Sequence, residues 1–263
     1  MENKYTISIS DFSGYRKNGI INVNESIVDK DMSMALYRYM NCEYLIEMLD
    51  SGLLYVSNRQ RFSDLRERGI KEEMKKYFPL TPVLKDKESK KRISLDSNRR
   101  WWASYHTCVS CWTSDEYDYG NSSSSNENYL MWKSYSNGIV CRIETNIGTL
   151  LDNVSKNNTD LRYDILFSKV SYLEKERFAD NNPQHYIFDK PIYYRDEQEY
   201  RLAVLSTNDC VHLKIDPYII IKNITISPFV NPKMADKIID FLKKEFPKLN
   251  GITIQRSHVM EYK

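Results

Sequence analysis

The chain has 263 residues, of which 41% are hydrophobic and 28% charged, the balance of an ordinary globular protein. Its 38 basic and 36 acidic side chains leave a net charge of +2, so charge alone gives no general attraction to nucleic acid or to an anionic membrane. The first residues lack the apolar stretch of a signal peptide, and no run of about 18 apolar residues occurs. We therefore expect a cytoplasmic protein without membrane association. The five cysteines, an odd number at irregular spacing, are expected to be free thiols.

The first part of the chain predicts a strand, a helix and a second strand. Residues 1–33 are polar with weak alternation, which indicates a hairpin or a loosely packed lead-in. The strand-helix-strand unit follows in LYRYMNCEYLIEMLDSGLLYVS, residues 36–57. Asn41 is placed to cap the helix at its start, and Gly52 to end it in a left-handed conformation. One face of the helix carries Leu45, Met48 and Leu49.

The middle of the chain alternates between charged connections and short elements. Residues 58–100 are dense in charge and predict a helix followed by an exposed connection, with a solvated charged surface as the favoured interpretation. Residues 115–128 have the composition of a loop. A strand is predicted before this loop in HTCVSCWTS, and a short helix, a break at Gly138 and a strand are predicted after it. A helix near residues 147–154 and a strand in RYDILFSKVSYL follow.

The last part of the chain predicts strands around one amphipathic helix, PKMADKIIDFLKKEF. The buried stripe of this helix is predicted to be Ile238, Ile239, Phe241 and Leu242. Strands outnumber helices along the chain, and they do not alternate regularly with them. We therefore predict an α+β fold, a single domain over residues 1–263 with mixed, mostly antiparallel sheets and flanking helices.

The segment YYRDEQEYRLAVL, residues 193–205, predicts a strand with two different faces. The apolar face carries Tyr194, Gln198, Tyr200, Leu202 and Val204. The polar face carries Arg195, Glu197, Glu199, Arg201 and Ala203. Alternate side chains of a strand stand roughly 6 to 7 Å apart, so the two carboxylates would project together. On an open surface Glu199 and Arg201 would form a weak pair. In a cleft, the two like charges would raise one carboxyl pKa while arginine keeps the other ionised.

An arginine and two aromatic residues add further candidates. Arg38 lies in an apolar strand, flanked by Leu36, Tyr37, Tyr39 and Met40. Because a buried guanidinium keeps its proton, Arg38 needs a partner, either an internal carboxylate or a ligand phosphate. Trp132 and Tyr135 are able to stack on a nicotinamide, an adenine or a base, although packing of an amphipathic helix explains them as well and is favoured.

Two sets of side chains have the chemistry of metal ligands. One set is His106, Cys108 and Cys111, and the other is Asp64, Glu67 and Glu199. The first lacks a second Cys-x-x-Cys pair, so two buried thiols are the favoured interpretation. The second would suit a metal-dependent nuclease, but the usual arrangement of such ligands on a strand is missing. We therefore expect no metal.

The strand-helix-strand unit resembles the opening of the ADP-ribosyltransferase-like fold, in which a strand ends in a basic residue and a second strand carries a serine. EQE at residues 197–199 resembles the Glu/Gln-x-Glu motif of the arginine-serine-glutamate branch of that fold. The set LYRY, FSDLRE, YLMWKSYSNGIVCRIE and EQEYRLAV resembles more closely the bacterial domain-of-unknown-function 2971 family. That resemblance covers residues 36–205, with strands and a helix over residues 206–263 beyond it.

The resemblance implies an ADP-ribosyltransferase-like core that takes NAD as its substrate. It would transfer ADP-ribose to a protein or nucleic acid acceptor, or hydrolyse NAD with water as a glycohydrolase. Glu199 would stabilise the oxocarbenium-like state, and Glu197 would orient or deprotonate the acceptor. The implied NAD-binding residues are Arg38, Ser57, Tyr37, Trp132 and Arg201. A toxin or phage-defence role is implied by analogy. Two other classes stay open, a catalytically silent nucleotide- or RNA-binding module and the metal-dependent nuclease.

Overall fold

One large sheet flanked by helices makes up most of the described part of the chain. The computed structural model describes residues 15–17, 20–22, 32–62, 67, 101, 103–114, 127–135, 137–160, 165–174 and 183–259. The strands are Tyr15–Lys17 (β1), Ile20–Asn22 (β2), Ala35–Asn41 (β3), Leu53–Asn58 (β4), Thr107–Thr113 (β5), Val140–Asn146 (β6), Ile165–Lys169 (β7), Ser171–Leu173 (β8), Asp189–Pro191 (β9), Glu199–Leu205 (β10), Cys210–Lys214 (β11), Asn223–Ile226 (β12) and Thr253–Arg256 (β13). The α-helices are Cys42–Ser51 (α1), Tyr129–Ser134 (α2), Ile147–Asn157 (α3), Pro183–Phe188 (α4), Pro217–Ile220 (α5) and Pro232–Glu245 (α6). Single 3-10 segments lie at Arg59–Arg61, Ile192–Glu197 and Pro247–Leu249.

Eleven of the strands in the described residues belong to one sheet, which is mostly antiparallel. The order is β1-β2-β7-β10-β5-β3-β6-β12-β13, and β4 branches from β5 and carries β11. The parallel neighbours in this sheet are β2 with β7 and β12 with β13. β8 and β9 form a separate parallel pair. The predicted α+β class, with a mostly antiparallel sheet and flanking helices, is confirmed.

The main hydrophobic core lies on one face of the sheet, under α1, α3, α5 and α6. β10 contributes Tyr200, Leu202 and Val204 to this core. On its other face Ala203 belongs to a smaller cluster with Val109. The alternation predicted for β10 is therefore confirmed from residue 199 onward. Because both faces of β10 are covered, its polar residues are not on an open surface.

The strand-helix-strand unit over residues 35–58 has the predicted form. Leu45, Met48 and Leu49 are buried in the main core. Gly52 ends α1 with a φ of 66°, the left-handed conformation that glycine adopts without strain. Asn41 precedes the helix, but its side chain makes no capping hydrogen bond.

The predicted buried stripe of α6 is wrong at one position. Leu242 is buried, and Ile238 and Ile239 are half-buried against the main core, but Phe241 is 45% exposed. Each residue turns a helix by about 100°, so the position before Leu242 points away from the stripe that Leu242 defines. The other helix and strand predictions that fall on described residues hold with shifted ends, apart from residues 193–198 before β10. The predicted strand in RYDILFSKVSYL is divided into β7 and β8 at Val170.

Several predictions fall on residues outside the described ranges. These are most of the charged segment at 58–100, the loop at 115–126 and the greater part of the lead-in at 1–33. Within that lead-in β1 and β2 pair as an antiparallel hairpin. Among the helices of the described residues, none has the length and apolar character needed to cross a bilayer.

The sheet divides at β5, whose one edge is shared by two strands. β3 pairs with β5 between Tyr37 and Thr113. β4 pairs with the other end of the same edge, between Ser57 and Val109 and between Asn58 and Cys108. The two strands therefore separate between these contacts. The gap lies beside β5 residues 110–112, with residues 38–41 of β3 on one side and residues 53–56 of β4 on the other. We call this gap the sheet fork, and α1, which joins β3 to β4, closes its wide end.

Replacing Gly52 by alanine is expected to lower the free energy of unfolding by about 1–3 kcal/mol. Alanine is strained at a φ of 66°, and its Cβ would lie 3.1 Å from the Ile215 carbonyl oxygen. Urea denaturation of the native protein and the variant measures the loss. The control is Asp50→Ala on the exposed side of α1, expected within about 0.5 kcal/mol of native. Equal stabilities of the two variants would contradict the strain argument.

Candidate active site in the sheet fork

Two adjoining cavities open along the sheet fork. The smaller has a volume of about 340 Å³ and the larger about 840 Å³. Both lie within the size range of small-molecule sites, roughly 300–1,000 Å³. They share the lining residues Tyr39, Phe62, Cys111, Ser134 and Tyr135. Because these side chains belong to both cavities, the two form neighbouring parts of one cleft.

Arg38 lines the larger cavity and spans the fork. From β3 its Nη1 donates to Ser110 Oγ on β5 at 2.7 Å, and its Nη2 donates to the Tyr55 carbonyl oxygen on β4 at 3.2 Å. Ser110 Oγ also accepts a hydrogen bond from the indole of Trp112 at 3.0 Å, and Trp112 lines the smaller cavity. Burial lowers the pKa of the Arg38 guanidinium. In the described ranges no carboxylate forms an ion pair with Arg38, so the predicted internal carboxylate partner is not found there.

The rim of the larger cavity carries further polar groups. Ser57 lines it, and its hydroxyl donates a long hydrogen bond of 3.4 Å to the Asn58 carbonyl oxygen. Arg61 donates to the Tyr55 hydroxyl at 3.2 Å, and the His212 ring packs edge-on against Tyr55. Ser57 and Arg38 therefore share one cavity, whereas Glu197, Glu199 and Tyr37 line the other.

A group of five charged side chains lies at the smaller cavity, and four of them line it. We call this group the charge cluster, and its members are Glu67, Lys190, Glu197, Glu199 and Arg201. Lys190 Nζ lies 2.8 Å from Glu67 Oε1, 2.6 Å from Glu197 Oε2 and 3.0 Å from Glu199 Oε2. Arg201 Nε donates to Glu199 Oε1 at 2.7 Å, and its Nη2 donates to both Glu67 and Glu199. The polar face of β10 is thus a buried network and not a solvated pair.

The backbone around the charge cluster explains why it is so compact. The β8–β9 pair sets Lys190 opposite Tyr172, and the Glu199 backbone N–H donates to the Tyr172 hydroxyl at 2.8 Å. Arg59 is buried, and its Nη2 donates to the carbonyl oxygen of Glu67 at 2.8 Å, which fixes that residue beside Arg201. Each cluster member is therefore held through its main chain or through a buried neighbour.

The predicted strand over residues 193–205 is wrong before residue 199. Ile192–Glu197 is a 3-10 segment, and Gln198 has a φ of 42°, in the left-handed region. Hydrogen bonds to the Arg195 carbonyl oxygen from the Gln198 N–H and side-chain amide stabilise this turn. Glu197 and Glu199 therefore do not project in parallel from one strand. They converge on the same ammonium group instead.

The two glutamates of the EQE motif have different acidities. Burial favours neutral Glu199, but Arg201 and Lys190 outweigh it and hold the pKa of this carboxyl well below its ordinary value. Burial raises the pKa of Glu197, and the charge of Glu199 adds to the rise although Lys190 opposes it. Such a divided pair is typical of acid-base chemistry, with one permanent anion and one group that exchanges a proton.

Two predicted ligand-binding residues do not face the cleft. Trp132 is fully buried, packs edge-on against Tyr39 and donates its indole N–H to Glu127 at 2.9 Å. Arg201 is also fully buried, and besides its carboxylate partners its Nη1 donates to the Ile187 carbonyl oxygen at 2.5 Å. The surroundings of Trp132 are those of its packing interpretation, and Arg201 donates its hydrogen bonds to Glu199, Glu67 and a carbonyl oxygen.

The two sets of potential metal ligands are not assembled. Cys108 and Cys111 are three residues apart on β5 and so point to opposite faces of the sheet. All five cysteines are free. Glu67 and Glu199 surround Lys190, whose ammonium stands where a cation would bind, and Asp64 lies outside the described residues. Within the ranges described, no group of three His, Cys, Asp or Glu side chains is arranged to hold a metal ion.

Lys190 is the central cation of the charge cluster, and the sequence patterns do not predict it. It stands in IFDKPIYY, outside the segment with alternating polar residues, and carries no motif of its own. Glu67 was considered only as a metal ligand, although it lies against Arg201 across 134 residues of chain. The available signal was charge balance, because two buried carboxylates need more than one cation.

No protein-family model matches the chain, and no curated protein matches it either. Membership of the domain-of-unknown-function family therefore stays a prediction. Among solved structures, the chain is similar to Thermus sp. 2.9 DarT in complex with carba-NAD+, with NAD+ and with ADP-ribosylated ssDNA. The identity is 11%, the match covers 85% of this chain and 94–95% of the DarT chains, and the TM-scores are 0.36–0.37. Because a likeness at that level carries no argument, the function proposed below rests on the sheet fork itself.

Replacing Arg201 by methionine is expected to lower the free energy of unfolding by about 3–5 kcal/mol. The variant leaves Glu199 and Glu67 buried with one cation fewer. Arg195→Met is the matched control, since the Arg195 side chain is 68% exposed and its pair with Asp196 is long at 3.9 Å. Urea denaturation compares the two. An Arg201→Met protein as stable as the control would show that the cluster does not depend on this guanidinium.

The free energy of unfolding is expected to fall as pH is lowered below 4.5, the ordinary pKa of glutamate. The pKa values of Glu199 and Glu67 are lowered in the fold, so below pH 4.5 the unfolded chain binds more protons until the folded pKa values are passed. Glu197 has a raised pKa and acts oppositely, since its contribution is full below pH 4.5 and is lost as pH rises through its folded pKa. Urea denaturation between about pH 7 and pH 3 measures the sum. Glu199→Gln should show a shallower slope, and an unchanged slope would contradict the assignment.

Proposed function

We propose that the protein is an NAD-consuming, ADP-ribosyltransferase-like enzyme that transfers ADP-ribose to an acceptor or to water. One observation carries the proposal. The sheet fork places a permanent buried carboxylate, Glu199, in one cavity and a guanidinium without a carboxylate partner among the described residues, Arg38, in the adjoining cavity. NAD has the complementary charges, because its diphosphate is negative, as Arg38 requires, and its nicotinamide ribose is positive, as Glu199 requires.

The residues of the larger cavity suit the diphosphate side of NAD. Arg38 offers a planar set of donors, the arrangement that binds phosphate oxygens best. Its present acceptors, the Ser110 hydroxyl and the Tyr55 carbonyl, are neutral, so an anionic ligand would compete for the same N–H groups. Ser57, on the same cavity wall, is proposed to hydrogen-bond a ribose hydroxyl.

The residues of the smaller cavity suit the reacting end. Tyr37 forms part of its wall, and the Arg142 guanidinium lies 4.4 Å from the centre of the Tyr37 ring, which holds that ring in place. Glu199 is 4% exposed and is one of the residues that line the cavity. A negative charge excluded from water stabilises a developing positive charge far more than a solvated one does.

In the proposed reaction the glycosidic C–N bond breaks and its electron pair leaves with nicotinamide. Glu199 stabilises the positive charge that develops on the ribose. The acceptor oxygen or nitrogen then forms the new bond to the anomeric carbon and gives its proton to Glu197, the carboxylate with the raised pKa. Arg201 and Trp132 take no direct part, because the first holds Glu199 and the second packs behind Tyr39.

The acceptor class and the biological setting extend the proposal. Either a protein or a nucleic acid fits the proposed chemistry, and hydrolysis of NAD requires only water. We place the reaction in the bacterial cytoplasm, in a toxin or phage-defence role, by analogy with such enzymes.

A second candidate function is a nucleotide- or RNA-binding module without turnover. One observation favours the binding module. Both carboxylate oxygens of Glu199 already accept hydrogen bonds, from Arg201 and Lys190. A carboxylate in such a network is also able to serve stability alone. Such a module would keep Arg38 as its ligand contact and would bind NAD without cleaving it.

Nicotinamide release from NAD by the purified protein distinguishes the two candidates. We expect release by the native chain and a loss of about 10²–10³-fold in Glu199→Gln, the usual cost of removing one group that stabilises transition-state charge. Arg38→Ala should weaken NAD binding, measured by calorimetry. Exposed residues provide the matched controls Glu174→Gln and Arg256→Ala.

The outcomes separate clearly when folding is checked by thermal denaturation. Release that vanishes in folded Glu199→Gln and persists in both controls supports the enzyme. NAD binding without release by the native protein would instead establish the binding module. Both acceptor classes are tested, a single-stranded DNA oligonucleotide for nucleic acid and a mixture of soluble proteins for protein, beside water alone.

A further inference from the structure

We propose that Lys190 is a positioning residue of the active site, whose ammonium group gives Glu197 and Glu199 their separate roles without touching the substrate. The inference rests on the proposed function and names a residue that the EQE motif does not contain. It adds to the two glutamates of one segment a positioning residue on β9.

The hydrogen-bonding capacity of Lys190 supports the assignment. An ammonium group has three N–H donors, and Lys190 Nζ lies within 3.0 Å of three different carboxylates, those of Glu67, Glu197 and Glu199. The side chain is 5% exposed, and its ammonium lies 4.9 Å from the centre of the Tyr194 ring. With its donors matched one to one, Lys190 has none left for a ligand. Its influence on the reaction must therefore pass through the glutamates.

The two glutamates depend on Lys190 unequally. Glu199 keeps two hydrogen bonds from Arg201 if the ammonium is removed. Glu197 has Lys190 as its ion-pair partner among the described residues, and its side chain is 31% exposed. Removing Lys190 would therefore leave Glu199 paired but would leave Glu197 facing two other carboxylates without its cation. The loss should fall on the group that accepts the proton.

In the part of the chain that the structure describes, the titratable or charged groups around Lys190 are Glu67, Tyr172, Tyr194, Glu197, Glu199 and Arg201. On the other side of Glu199 the thiol of Cys111 and the hydroxyl of Tyr135 carry raised pKa values because of burial, so both stay neutral near pH 7. Neither neutral group is able to replace the ammonium. Among the described residues, Lys190 and Arg201 are thus the cations in direct contact with the carboxylate groups of the cluster.

The test is the pH profile of kcat/KM for nicotinamide release by the native protein, Lys190→Met and Lys190→Arg. Without the ammonium the pKa of Glu197 rises, so the acid limb of the profile should move to higher pH in Lys190→Met. We expect kcat near pH 7 to fall by about a hundredfold, the cost of a misplaced catalytic group, with KM for NAD nearly unchanged. Lys190→Arg keeps the charge and should return the acid limb toward its native position.

Two further variants test whether the effect is specific and whether it survives poor folding of Lys190→Met. Lys169→Met removes another lysine that packs over an aromatic ring, that of Tyr200, and should leave the profile unchanged. If Lys190→Met is unstable, the double variant Lys190→Met with Glu67→Gln removes one cation and one anion together, which keeps the net charge of the cluster. The same shift of the acid limb is expected in that background.

A second readout does not depend on NAD turnover. In protein labelled with ¹³C at the glutamate carboxyl carbons, NMR titration should show a higher pKa for Glu197 in Lys190→Met than in the native protein. The role of Lys190 would be overturned if Glu197 titrated alike in Lys190→Met and the native protein, or if both cleaved NAD with the same acid limb. The proposed function would stand in either case. Absence of cleavage by the native protein would overturn the proposed function and this inference with it.

Discussion

The site depends on one strand edge being divided between two partners. One edge of β5 pairs with β3 at Thr113 and with β4 at Val109 and Cys108. On that edge, the three residues between these contacts face a gap and have no neighbouring strand. A sheet normally fills such a gap, because unpaired backbone groups are costly when buried. Here Arg38 bridges it by bonding to Ser110 on one side and to the Tyr55 carbonyl on the other. The opening for a ligand and the residue that would bind it come from the same feature.

The charge cluster solves a second physical problem, which is how to keep a carboxylate ionised out of water. Isolated burial would neutralise Glu199, so the fold surrounds it with Arg201, Lys190 and a buried thiol. Arg201 and Lys190 are two and nine residues from Glu199 in the chain, and the thiol of Cys111 comes from a distant strand. The β8–β9 pair and Arg59 hold the cluster in place. The cluster consists of side chains of this one chain. Its electrostatic field is therefore built as the chain folds.

Local patterns made part of this structure predictable. The α1 stripe and Gly52 follow from helix periodicity and glycine geometry, and alternation from residue 199 onward reveals the two faces of β10. Other features depend on contacts between remote segments. Lys190 matters only because β9 pairs with β8 beside Glu199. The 3-10 segment before Gln198 was missed because glutamine rarely adopts a left-handed conformation, so its presence gives no warning of a turn. Hydrophobic periodicity depends only on residues close together in the sequence. The sheet fork and the charge cluster depend on contacts made when the sheet assembles, so periodicity does not predict them.

The turn at Gln198 also bears on how such motifs tolerate variation. The middle residue of EQE is fixed by its backbone, with a φ of 42° and with its carbonyl accepting a hydrogen bond from the Ser114 N–H at 3.0 Å. Glycine, asparagine and aspartate enter this region readily, whereas valine and isoleucine are excluded by their branched Cβ. If Gln198 is replaced by each other amino acid, the tolerated residues should therefore be those that adopt a positive φ, whatever the polarity of their side chains. Homologues with a small or amide residue there would preserve the convergence of the flanking acids, while a β-branched residue would signal a straightened strand and a different chemistry.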